Sequence, residues 1–162
     1  MNQRIIYPTP EGGVAVIIPS GELPIEEVAA KDVPEGVPYE IVSVDEIPTD
    51  RTFRGAWVLG DCCVEHDIDR CKAIGHDIRR SKRAEEFAPH DEVIAKQIPG
   101  VDAAAAEEAR QEIRDKYAAI QEEIDAAQSL TEIKVALGLE QPAPEPEPEP
   151  VPEPEPEPAS ES

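Results

Sequence analysis

The chain has 162 residues and a formal net charge of −21, with 36 Asp and Glu against 15 Lys and Arg. Charge of that sign repels nucleic-acid phosphates and anionic membrane surfaces, and no run reaches the ~18 apolar residues that a membrane-spanning helix needs. The length allows one modest domain or two very small ones, and with so few aromatics (Tyr7, Tyr39, Phe53, Trp57, Phe87, Tyr117) the cores are thin, so marginal stability or help from a partner is expected.

The expected fold class is α+β. A small β-rich, ββαββ-like module covers 1–59, a helical hairpin region covers 60–138, and a disordered Pro/Glu-rich tail covers 139–162. In the first module, Arg4–Tyr7 and Val14–Ile18 are β-prone runs flanking the turn cluster Pro8-Thr9-Pro10-Glu11-Gly12-Gly13, which predicts a hairpin. Pro24 suits the first turn of a helix over Ile25–Lys31, with Glu26 and Glu27 near its positive end and Val33-Pro34-Glu35-Gly36 stopping it. Tyr39–Val44 and Phe53–Leu59 read as further strands.

After Gly60-Asp61 the apolar period changes from two to 3.6. Val64, Ile68, Cys71, Ile74 and Ile78 fall on one face of a helix expected over about 64–87, ending before Pro89. Gly75 weakens its middle by about 1 kcal/mol relative to Ala, or serves a close contact. A short helix is expected over about 91–97, followed by the Pro99-Gly100 turn.

The strongest local signal is a helix over about 102–128, N-capped by Asp102. Ala106, Ala109, Ile113, Tyr117, Ile120, Ile124 and Ala127 form a single apolar stripe on it, with charged residues opposite. Ser129-Leu130-Thr131-Glu132 has capping-box spacing and starts a last helix over about 130–137, closed by Gly138. The stripe needs a partner. An intramolecular hairpin with the helix at 64–87 is the first choice, through Val64, Ile68, Ile74, Ile78, Ala109, Ile113, Tyr117, Ile120 and Ile124; a homo-oligomeric coiled coil is the second.

From Gln141 the chain is a Pro-Glu repeat carrying seven Glu and no cation, so −14 of the net charge remains on residues 1–140. Alternating Pro and mutually repelling Glu favour an extended polyproline-like rod of ~3.1 Å per residue.

Two clusters bear on chemistry. Cys62, Cys63, His66, Cys71 and His76 are zinc-ligand types, but their spacing matches no finger or knuckle, and Cys71 on the apolar stripe reads as an ordinary buried thiol. The basic run Arg70, Lys72, Arg79, Arg80, Lys82 and Arg83 offers a nucleic-acid face without interleaved aromatics; the Glu-rich face of the helix at 102–128 is its better complement. No triad, metalloprotease or phosphate-loop motif is present, so no catalytic residue is assigned.

The runs Ile5–Val16 (IIYPTPEGGVAV), Glu22–Ala29 (ELPIEEVA), Asp32–Tyr39 (DVPEGVPY) and Asp50–Trp57 (DRTFRGAW) resemble the start of a family of small tailed-bacteriophage and prophage accessory proteins. Asp77-Ile78-Arg79-Arg80 and Ile94–Gly100 (IAKQIPG) are similar to the helical extension of some members, while the cysteine cluster and the Pro-Glu tail depart from the pattern. The resemblance implies a non-enzymatic protein, virion-associated or acting in tail and tail-fibre assembly, that binds another phage protein. It would be made in the host cytoplasm, without a cofactor or a membrane. An acidic regulator of a basic host or phage factor is the second expectation, and a zinc module the third.

Overall fold

The computed structural model describes residues 2–60, 63–96 and 103–141. The tail from Pro142, the Pro99-Gly100 turn, the Asp102 cap and Cys62 fall outside them.

Two adjacent isoleucines organise the N-terminal half. Strand β1 (Gln3–Pro8) lies between β2 (Val14–Ile17) and β3 (Glu40–Ser43), antiparallel to both, with Ile5 opposite Ile17 and Ile41. Successive strand residues point to opposite faces. Ile5 therefore packs under helix α1 (Ile25–Asp32) with Val28 and Ala29, while Ile6 faces Val14, Val42, Ile47, Trp57 and Val64. Each fully buried isoleucine contributes about 1.5–3 kcal/mol relative to exposure.

The second face is closed by a small hairpin, β4 (Trp57–Leu59) with β5 (Val64–His66). Val44, at the end of one expected strand, and Arg54–Ala56, near the start of the next, instead belong to single 3₁₀ turns, at Val44–Glu46 and Arg54–Ala56, ahead of this hairpin.

The helix expected from Val64 begins four residues later. Helix α2 spans Ile68–Lys96, and Val64 is a strand residue, 8 % exposed against Trp57. The cause is Asp67. Its carboxylate accepts from the Arg70 N–H at 3.0 Å, and its carbonyl accepts from the Cys71 N–H at 2.9 Å, so the helix is capped there. A valine four residues before Ile68 fits a helical stripe by spacing alone, but Leu59 pairs with it across the hairpin.

The separate helices expected over 64–87 and 91–97 are one helix running through Pro89. Proline inside a helix removes one backbone bond and crowds the carbonyl four residues back, at about 3 kcal/mol. Here both Pro89 and Glu85 are exposed, so water reaches the freed carbonyl. Contacts to the next helix hold the last turns, through Asp91 with Arg110 at 3.0 Å. Tertiary contact overrides local propensity.

Helix α3 (Ala103–Ala126) runs antiparallel to α2, since Lys72 and His76 meet Asp125, Arg79 meets Tyr117 and Gln121, and Asp91 meets Arg110. Its stripe is the buried face, with Ala106, Ile113, Tyr117 and Ile124 inside. Helix α4 (Leu130–Ala136) folds back against both. Ser129 caps it, accepting from the Glu132 N–H at 3.2 Å, and Gly138 ends it at φ +66°.

The α+β architecture is thus a three-stranded sheet with one helix and a hairpin on its faces, followed by a helical hairpin with a short third helix. The two parts touch. Phe53 and Ala56 enter the helical core beside Cys71, Ile124 and Ile133, the Ala56 carbonyl accepts from the Asp67 N–H, and Lys134 pairs with Asp50 at 2.7 Å.

Candidate functional site

The Cys/His set is scattered over different environments. Cys63 is half-buried in the β4–β5 turn, where its carbonyl accepts from the Gly60 N–H at 2.9 Å. His66 ends β5, and burial first, then the nearby Lys134 ammonium, lowers its pKa against the opposing pull of Asp50. Cys71 is fully buried in the helical core, where desolvation and then Asp67 push its thiol up, away from the reactive thiolate. His76 turns to α3, with Nε2 3.0 Å from Asp125 Oδ1. Among the described residues, no three of His, Cys, Asp and Glu converge as a metal-binding group.

The basic run is spent within the chain, chiefly on carbonyls, with Arg79 buried and Arg80 exposed. Lys72 Nζ donates to the Asp125 carbonyl at 2.8 Å, at the end of α3, and Lys82 Nζ donates to the Leu137 carbonyl at 2.8 Å, at the end of α4. Both ammoniums sit where a helix presents unpaired carbonyls and the negative end of its dipole. Arg79 is only 9 % exposed and donates to the Tyr117 carbonyl at 3.1 Å and to Gln121 Oε1 at 2.6 Å. Arg70 reaches the β1–β2 turn, donating to the Gly12 and Glu11 carbonyls at 2.8 and 3.2 Å. Arg83 stacks on Phe87, its guanidinium 5.1 Å from the ring, and Arg80 pairs with Asp77 in the same helix.

The complement expected from the acidic face of α3 is therefore not what joins the hairpin. Glu107 pairs with Arg110 and Arg114 of its own helix, and Glu108, Glu112, Glu122 and Glu123 are exposed. Beside His76 with Asp125, two pairs crossing between the helices run in the opposite sense, from acids of α2 to bases of α3: Asp91 with Arg110 and Glu86 with Lys116. Glu86 accepts from Lys116 Nζ at 2.6 Å and from the Tyr117 hydroxyl at 2.8 Å. Those bonds lower the Glu86 pKa, while burial and then Glu86 push the Tyr117 hydroxyl up to about 12.

Of the expected interface residues, Ile74, Ile78, Ile120 and Ile124 pack in one helical core, with Ile113 and Tyr117 buried farther along α3. Ile68 and Ala109 are half-buried, and Val64 belongs to the sheet core. The stripe is covered within the chain.

What remains open is a recess that the sequence reading missed. Between the end of α3 and the face of α4 lies a groove of about 590 Å³, lined by Ala126, Ala127, Val135 and Ala136. Its edge carries Ser129 and Thr131 and the carboxylates of Glu123 and Glu132. Small side chains make the hollow, and their low hydrophobicity is why periodicity gave it no signal. The available clue was Ala126-Ala127 just before the Ser129 cap, which brings two alanines to the elbow where α4 turns back. Leu139, 46 % exposed, follows α4, and a second set of exposed apolar side chains, Ile18, Leu23 and Tyr39, flanks the sheet.

Among the described residues no helix is long and apolar enough to cross a membrane. Set against known proteins, the chain matches no family model, no curated protein and no solved structure.

Proposed function

We propose that this chain is a non-enzymatic bacteriophage accessory protein, virion-associated or acting in tail and tail-fibre assembly, that works by binding another phage protein. The observation that carries the binding part is the apolar groove between α3 and α4 in a surface otherwise dominated by carboxylates. A recess of this kind on a helical corner accepts a protruding apolar element of a partner. The phage part rests on the wording of residues 4–57, given above. Mass spectrometry of purified particles and assembly intermediates, combined with crosslinking, tests the proposal. The expected result is recovery of the chain with crosslinks to a tail, fibre or other virion component; absence from both preparations refutes it.

A second reading is favoured by the engagement of the basic run within the chain. Arg70, Lys72, Arg79 and Lys82 are held by backbone carbonyls of the chain itself, which leaves an acidic exterior suited to a basic host or phage factor in the infected cell. Early synthesis after infection supports this reading, and late synthesis with the structural proteins supports the first.

A further inference from the structure

Taking the protein-binding reading as its basis, we propose that the α3–α4 groove seats a basic amphipathic helix of the partner. Three properties of the groove select that occupant.

The walls are helices. Their backbone groups are engaged in their own ladders, so an extended segment entering the groove would find no ladder to complete its hydrogen bonds. A helix brings its backbone already satisfied and needs only a complementary face. The floor is made of Ala126, Ala127, Ala136 and Val135. Short side chains let a second helix come close and leave space for large apolar side chains projecting from it. The rim is acidic, with Glu123 of α3 and Glu132 of α4 at the groove.

The rim decides among the remaining occupants. The chain's own tail from Gln141 carries seven Glu and no cation, so it would set carboxylate against carboxylate. A second copy would approach with the exposed acids of a chain of net charge −21. Both are disfavoured by like charge, whereas Lys or Arg flanking an apolar stripe meets the rim with opposite sign.

The test uses the full chain and three synthetic peptides, read by methyl NMR of its Ala and Val residues. One peptide is an amphipathic helix of Leu and Lys, the second has the same pattern in Leu and Glu, and the third is a Lys-Gly polycation without an apolar face. The Leu-Lys peptide is expected to shift the methyls of Ala126, Ala127, Val135 and Ala136 and leave the outer face of α3 unmoved. Ala126→Lys, which places bulk and charge in the groove, is expected to weaken binding about tenfold or more, the loss of roughly one large apolar contact.

Glu123→Lys alters only the rim and is expected to weaken binding about two- to fivefold at low salt, the range of an exposed ion pair, and less at high salt. Glu132 is left intact because its carboxylate accepts from the Gln128 N–H at 2.7 Å. Circular dichroism confirms that both variants fold, and the exposed Glu123 keeps the test valid if Ala126→Lys does not. Equal binding of the Leu-Glu or Lys-Gly peptide, shifts spread over all acidic faces, or no response to either substitution overturns the proposal. Crosslinks from virions that map to another surface would remove the groove and leave the protein-binding reading standing. A chain that binds the Leu-Lys peptide as described but is missing from particles and intermediates would do the reverse.

Discussion

Replacing Gly75 with alanine sets a gain in helix propensity against a steric conflict with α4. The gain is about 0.8–1 kcal/mol for an interior position of a helix. The conflict is local: a Cβ at Gly75 would stand 3.0 Å from Cγ2 of Ile133, with Cγ2 and Cδ1 of Ile124 at 3.6 and 3.7 Å. Carbon atoms settle at about 3.5–4.0 Å, so the Ile133 methyl would have to retreat by about half an ångström. Ile133 and Ile124 are both fully buried, and the Ile133 methyl sits on a β-branched side chain with few rotamers to escape into. Overpacking of this kind costs about 1–3 kcal/mol, so a net destabilisation of about 1 kcal/mol is expected for Gly75→Ala. In an Ile133→Leu background the branched methyl is gone, and the same Gly75→Ala change should become neutral or stabilising. Urea unfolding of the four proteins, followed by far-UV circular dichroism, gives the coupling directly, with about 1–2 kcal/mol expected. Stabilisation of the parent chain by about 1 kcal/mol, as at an exposed helical site, would refute the close-packing argument. The result also bears on the proposed binding, because α4 forms one wall of the groove.

Three further outcomes are expected. Arg79→Ala should destabilise by about 2 kcal/mol and Arg79→Met by less, because methionine keeps the packing of the buried stem while both lose the bonds to Tyr117 and Gln121; urea midpoints at neutral pH check the order. Tyr117 has its folded-state pKa raised from 10.0 to about 12, so its contribution is fully present below pH 10 and is lost as pH rises through the folded value. Between those limits the parent chain should lose up to about 1.4 kcal/mol per pH unit more than Tyr117→Phe, measured by unfolding at stepped alkaline pH; parallel slopes would contradict the burial and Glu86 bond assigned to the hydroxyl. Ser129→Ala should cost about 1 kcal/mol and speed amide exchange in α4 more than in α2, since it removes the oxygen that accepts from the Glu132 N–H.

Much of the fold could be read locally. The strand at Arg4–Tyr7, the stripe from Ala106 to Ala127, the Ser129 cap and the Gly138 stop each follow from the pattern within one element, and the structure places all of them as read. The candidate site was not legible. It is a concavity between two helices, made of alanines whose individual burial tendencies are weak, and its shape depends on how α4 returns after Ser129. The basic run was legible as a cluster but not as a set of partners, because Lys72 and Lys82 find carbonyls at the ends of helices more than fifty residues away.

The amino-acid order alone therefore determined strands β1 to β3, the Ser129-capped helix α4, the acidic balance and the demand of the α3 stripe for a covering surface. Those properties arise from side-chain period, capping chemistry and charge, which act over a few residues. Tertiary structure decided three things: that Val64 joins a strand and Asp67 starts α2, that α2 continues through Pro89, and that Arg70, Lys72, Arg79 and Lys82 are held by distant carbonyls of the chain. Each depends on a distant surface. Trp57 buries Val64, α3 supports the last turns of α2, and the open ends of α3 and α4 supply the acceptors that local pattern does not encode.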